Sequence, residues 1–127
     1  MNLNQSKSIL VVDDCQDNLL LMELLLQGEG YRVRSAANGS EGVAKFNCQP
    51  PDLIIIDLMM PDISGLEFIQ YLKHKCSLGN IPVIMLTANS YLRREEARDA
   101  DLVCYKPFNI DCLLDQIKSV LNLKLAA

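Results

Sequence analysis

Short apolar or β-branched runs alternate along this chain with stretches of helical period, and that alternation limits the fold more than any other feature. The strand-like runs are Ile9–Val12, Leu53–Ile56, Ile81–Leu86 and Leu102–Tyr105, with a weaker alternating run at Tyr31–Ser35. Helical patterns fall at about 16–28, 39–47, 64–75, 90–98 and 109–122. Gly28 and Gly30 close the first, Asn38-Gly39-Ser40 opens the second, and Pro50-Pro51 separates the second from the third strand. Leu53–Ile56 is apolar without interruption, as in a parallel strand covered on both faces. Five strands alternating with five helices predict an α/β, doubly wound parallel sheet, because right-handed crossovers place helices on both sides. With 127 residues and no repeat or linker, the chain is expected to form a single domain over 1–127, its core spanning about 8–122.

Composition narrows the function. Half the residues are apolar and 22% are charged, which excludes a disordered chain. A formal charge of −4 gives no bulk electrostatic reason to bind nucleic acid or an anionic membrane. The five cysteines lack C-x-x-C spacing and His74 is the only histidine, so a zinc site is not indicated and reduced thiols are expected. Neither a secretory apolar segment nor a membrane-spanning run is visible, and the expected location is the cytoplasm.

In doubly wound sheets, ligands sit beyond the carboxyl ends of the strands. The residues there are Asp13-Asp14, Asp57, Thr87 and Lys106. Taken singly, Asp13 or Asp14 reads as a helix cap, Asp57 as a turn residue, Thr87 as an N-cap and Lys106 as a surface charge. Their convergence outweighs those readings. Two carboxylates about 5 Å apart repel by about 3 kcal/mol at an effective dielectric of 20, so the group needs a cation. Oxygen-only donors suit a hard divalent ion such as Mg²⁺. A hydroxyl and an ammonium facing the acids suit phosphoryl oxygens. A flavodoxin-type cofactor phosphate would be repelled by Asp13-Asp14. A haloacid-dehalogenase-type phosphatase would carry an acid two residues after its nucleophile, where this chain has Met59.

The ordered segments Ile9-Leu-Val-Val-Asp-Asp14, Gly30-Tyr-Arg-Val33, Ala37-Asn-Gly39, Asp52-Leu-Ile-Ile-Ile-Asp-Leu-Met-Met-Pro-Asp-Ile-Ser-Gly65, Pro82-Val-Ile-Met-Leu-Thr-Ala88 and Lys106-Pro-Phe108 resemble a response-regulator receiver domain over nearly the whole chain. The resemblance implies a flavodoxin-like (βα)5 fold with strand order 2-1-3-4-5. It implies that Asp57 takes a phosphoryl group from the phosphohistidine of a sensor histidine kinase or phosphotransfer protein. Mg²⁺ would be bound by Asp14, Asp57 and the Met59 backbone carbonyl, with Asp13 acting through water, while Thr87 and Lys106 hold the phosphoryl oxygens. Such a protein catalyses its own phosphorylation and dephosphorylation rather than acting as an enzyme on a separate substrate. It switches conformation to control a downstream protein or a fused output domain, and it contacts neither nucleic acid nor membrane directly.

Two features depart from the family pattern. Val103 stands three residues before the lysine, where an aromatic is usual, with Tyr105 two residues further along the same strand face. The stretch from Thr87 to Lys106 is about three residues short, so the helix over 90–98 is expected to be short or displaced. Both favour the alternative of a degenerate receiver serving as a phosphorylation-independent interaction module. On the first helix, Leu21, Leu24, Leu25 and Gly28 are expected to face the sheet, leaving Leu19 and Leu26 outward, either as scattered exposed leucines or as a docking patch for a kinase or phosphotransfer helix. Met59 and Asn89 are expected to line the entrance for a hydrolytic water.

Overall fold

A computed structural model of the chain describes residues 7–60, 62–88, 100–106 and 109–126, with side chains up to 122. Along the chain come β1 (Ser8–Val12), α1 (Gln16–Gly28), β2 (Arg32–Ala36), α2 (Gly39–Cys48), β3 (Leu53–Asp57), α3 (Gly65–Lys75), β4 (Val83–Thr87), β5 (Leu102–Tyr105) and α4 (Ile110–Ala126). The strands form one sheet in the order β2-β1-β3-β4-β5, and every pairing is parallel. This is the α/β doubly wound arrangement expected from the alternation of periods. The chain leaves β1 toward β2 on one side and returns to β3 on the other, so strand order reverses between β1 and β3.

Alternation along the strands divides the apolar residues between two layers. Ile9, Val11, Ile55, Ile84 and Leu86 pack with Leu19, Met22 and Leu26 of α1 and with Leu113, Ile117 and Leu121 of α4. On the opposite face Leu10, Val12, Ile54, Ile56 and Met85 pack with Phe46 of α2 and with Phe68, Ile69 and Leu72 of α3. β1, β3 and β4 are buried along their whole length, whereas the edge strands β2 and β5 are only partly covered.

Several boundaries differ from the sequence reading. β4 begins at Val83 rather than Ile81, because Pro82 has no N–H to give; its carbonyl accepts from Ile54 N–H at 3.1 Å, and the Asp101 carboxylate accepts from Val83 N–H at 2.8 Å. β2 starts one residue late, since Tyr31 N–H turns back to the Leu26 carbonyl at 3.2 Å.

The expected facing of α1 is wrong. Leu19, Met22 and Leu26 are buried, while Leu20, Leu21 and Leu24 are 56%, 50% and 61% exposed. Leucines occupy every side of this helix, and Met22 completes the i, i+3, i+7 stripe that faces the sheet. The helical pattern over 90–98, the shortened segment containing it, and Asn89 lie outside the described residues. Among the described residues, no helix is long and apolar enough to cross a membrane.

Candidate functional site

Register brings the site together. Val12 pairs with Ile56, so Asp13 and Asp57 emerge side by side from β1 and β3. Asp57 pairs with Leu86 and Thr87 with Tyr105, so Thr87 and Lys106 follow on the neighbouring strands. Lys106 N–H donates to the Thr87 carbonyl at 2.7 Å, which fixes where the lysine stem starts.

Asp57 is 8% exposed. Its Oδ1 accepts from Met59 N–H at 3.1 Å, and its Oδ2 accepts from Lys106 Nζ at 3.1 Å. Asp13 is buried; its Oδ1 accepts from Cys15 N–H at 2.9 Å and its Oδ2 from Asn18 Nδ2 at 3.3 Å. Lys106 Nζ lies 4.0 Å from that same Oδ2. Burial pushes the Asp13 pKa upward and the charge on Asp57 adds to the shift; the Cys15 N–H, Lys106 and Asn18 oppose it. Asp14 is exposed, and Thr87 is fully buried at the end of β4.

Asp13, Asp14 and Asp57 each offer an oxygen within 4.8 Å of the others. Three carboxylates facing one ammonium leave negative charge in excess, and the donor set is all oxygen. These residues fit a small hard divalent cation such as Mg²⁺ and offer no nitrogen or sulfur to a softer one. Beside them, Asn18, Leu21, Met22, Leu86 and Ile110 join Asp13 and Lys106 around an open cavity of about 260 Å³.

Three supporting residues escaped the sequence reading of the site. A Cβ on Gly65 would lie 2.9 Å from both the Asp57 carbonyl oxygen and the Leu58 Cα, so only glycine lets α3 start this close to β3. Gly65 N–H donates to the Leu58 carbonyl at 2.8 Å, closing the intervening loop. The Asp62 carboxylate accepts from Gly39 N–H and Ser40 N–H at 3.0 Å and from Ile63 N–H at 2.9 Å, tying that loop to the start of α2. These bonds hold its pKa at about 2. Asn18 is the third, and its one sequence signal is a poor helix former placed in a first helical turn. Of the residues near the switch position, Val103 packs partly buried on the α2–α3 face, while Tyr105 is 47% exposed.

A family model described as the response regulator receiver domain matches residues 9–118. The chain is 35% identical over 119 residues to the polar-differentiation response regulator DivK of Brucella anthropi, covering 91% of this chain and 97% of that one. The Brucella ovis protein of the same name is 34% identical over 120 residues, with 92% and 98% covered. Among solved structures, the response regulator TrrA of Thermotoga maritima in complex with Mg²⁺-BeF is 40% identical, with a TM-score of 0.79 and 90% and 98% covered. The chemotaxis protein CheY4 of Vibrio cholerae is 32% identical, with a TM-score of 0.83 and the same coverage.

Proposed function

The chain belongs to the response-regulator receiver family, and we propose that within it Asp57 is the acceptor of a phosphoryl group carried by a histidine of a sensor kinase or phosphotransfer protein. The observation that carries this reading is the buried Asp57 carboxylate, 3.1 Å from the Lys106 ammonium and grouped with Asp13 and Asp14. An Asp57 oxygen attacks phosphorus in line, the phosphorus–nitrogen bond breaks, and its electron pair stays with the imidazole. Lys106 offsets the charge that accumulates on the phosphoryl oxygens, and the Thr87 hydroxyl donates to one of them. Asp14, Asp57 and the Met59 carbonyl would hold Mg²⁺, with Asp13 acting through water; the ion supplies electrostatic stabilisation of the transferring group. The exposed Met59 side chain, two residues from Asp57, helps set the access of water and hence the lifetime of the acyl phosphate.

The protein is then its own catalyst of phosphorylation and dephosphorylation, working in the cytoplasm without direct contact with nucleic acid or membrane. Contacts made only with the phosphorylated form draw Thr87 inward and repack the β4–β5 side, which a downstream protein or fused output domain reads. The phosphodonor docks on the exposed leucines of α1, Leu20, Leu21 and Leu24, of which Leu21 lines the cavity beside Asp13. Leu19 and Leu26, assigned to that patch from helical spacing, belong to the core instead.

Incubation with acetyl phosphate and Mg²⁺, followed by intact mass measurement, tests the central claim. One phosphoryl group should be gained by the wild type and none by Asp57→Asn. Val103 at the usual aromatic position favours a second reading, a phosphorylation-independent interaction module. Absence of labelling, together with no structural response to beryllofluoride, would select it.

A further inference from the structure

We infer that Asn18 is a positioning residue for the acidic trio: its amide holds Asp13 so that the trio binds a divalent cation while Lys106 stays with Asp57. The inference rests on the receiver reading above only in taking that cation to be Mg²⁺. Asn18 lies in the first turn of α1, and asparagine is a poorer helix former than alanine. Its side chain does not cap the helix. The N-cap residue, Cys15, makes no side-chain capping bond either, and its N–H is given to Asp13 Oδ1 at 2.9 Å.

Asp13 is thus fixed at both oxygens by neutral donors, Cys15 N–H on Oδ1 and Asn18 Nδ2 at 3.3 Å on Oδ2. The competitor for Oδ2 is Lys106, whose Nζ sits 4.0 Å away and 3.1 Å from Asp57 Oδ2. Without the amide, a buried carboxylate oxygen loses a partner and turns to the nearest cation. That movement draws Lys106 from Asp57 and neutralises one of the three acids. An amide avoids both consequences because it satisfies Asp13 without adding charge. A cationic side chain at position 18 would satisfy Asp13 equally well and compete with the metal.

Calorimetric Mg²⁺ binding to the unphosphorylated full chain tests this, with thermal unfolding of the metal-free proteins measured in parallel. Loss of one such hydrogen bond predicts that Asn18→Ala raises the Mg²⁺ dissociation constant about 3- to 10-fold. Metal-free stability should fall only slightly, since alanine's better helix propensity and the turn of Asp13 toward Lys106 offset part of the lost bond. Asn18→Gln, which keeps the amide, should recover part of the affinity. An unchanged dissociation constant in Asn18→Ala overturns the inference while leaving the receiver reading intact. So does a loss of affinity that tracks a loss of metal-free stability in both variants, which marks a structural role. A wild-type chain that takes up no Mg²⁺ overturns both.

Discussion

Replacing Asp62 by asparagine would remove a negative charge from the start of α2 while keeping the side-chain shape. The carboxylate accepts from two N–H groups of that helix, Gly39 and Ser40, and from Ile63 in its own loop. An anion at an exposed helix N-terminus contributes about 0.3–1 kcal/mol, and a complete capping side chain about 0.5–2 kcal/mol. Asp62 is solvent-exposed, so screening places Asp62→Asn near the lower figure, at about 0.5 kcal/mol, and Asp62→Ala at about 1 kcal/mol. The pH dependence has a definite sign. The folded pKa, about 2, lies below the ordinary 3.8, so the contribution of the charge is complete above 3.8 and fades as pH falls through 2. Urea unfolding of wild type and Asp62→Asn at pH 7, and at steps from pH 4 to pH 2, measures this directly. The variant should be less stable at pH 7, and the gap should close across the acid range. Raising salt to about 1 M should also narrow it. Equal stability at pH 7, or a gap indifferent to both acid and salt, would refute the argument.

Gly65→Ala should destabilise the fold by about 1–3 kcal/mol in thermal unfolding, because the added methyl group meets backbone at Asp57 and Leu58 rather than a side chain that can turn aside. Leu26→Ala should cost about 2–5 kcal/mol and Leu24→Ala less than about 0.5 kcal/mol, an ordering opposite to the one the spacing of leucines predicts. Substituting Leu20 and Leu24 by serine should slow transfer from a kinase and leave acetyl phosphate labelling unchanged; an equal loss in both reactions removes α1 as the docking surface. With a thiol reagent at pH 8, Cys15, Cys48 and Cys112 should react quickly. Cys104 should react only on unfolding, since it is buried and burial raises its pKa.

Where sequence and structure agree, the signal was local. An apolar strand ending in an acid carries both its burial and the placement of that acid within half a dozen residues, so the grouping of Asp13, Asp14 and Asp57 is legible in the sequence. Where they disagree, the deciding contact was remote or the local signal was saturated. Asp62 meets α2 twenty-odd residues away in sequence, and no period in the chain announces that bond. Gly65 is required by the approach of α3 to the end of β3, which spacing alone does not reveal. α1 carries leucine at 19, 20, 21, 24, 25 and 26, so apolar character does not choose a face; the sheet chooses it through Met22. The start of β4 at Val83 differs for the opposite reason: Pro82 marks the boundary, but the apolar run on either side of it is continuous.

Lys106 follows the outermost strand, yet its ammonium reaches over β4 to the end of β3 in the middle of the sheet. β5 has a neighbour on one flank and only partial cover. On the proposed reading, new charge on Asp57 is transmitted through the Lys106 side chain to a strand at the margin of the sheet.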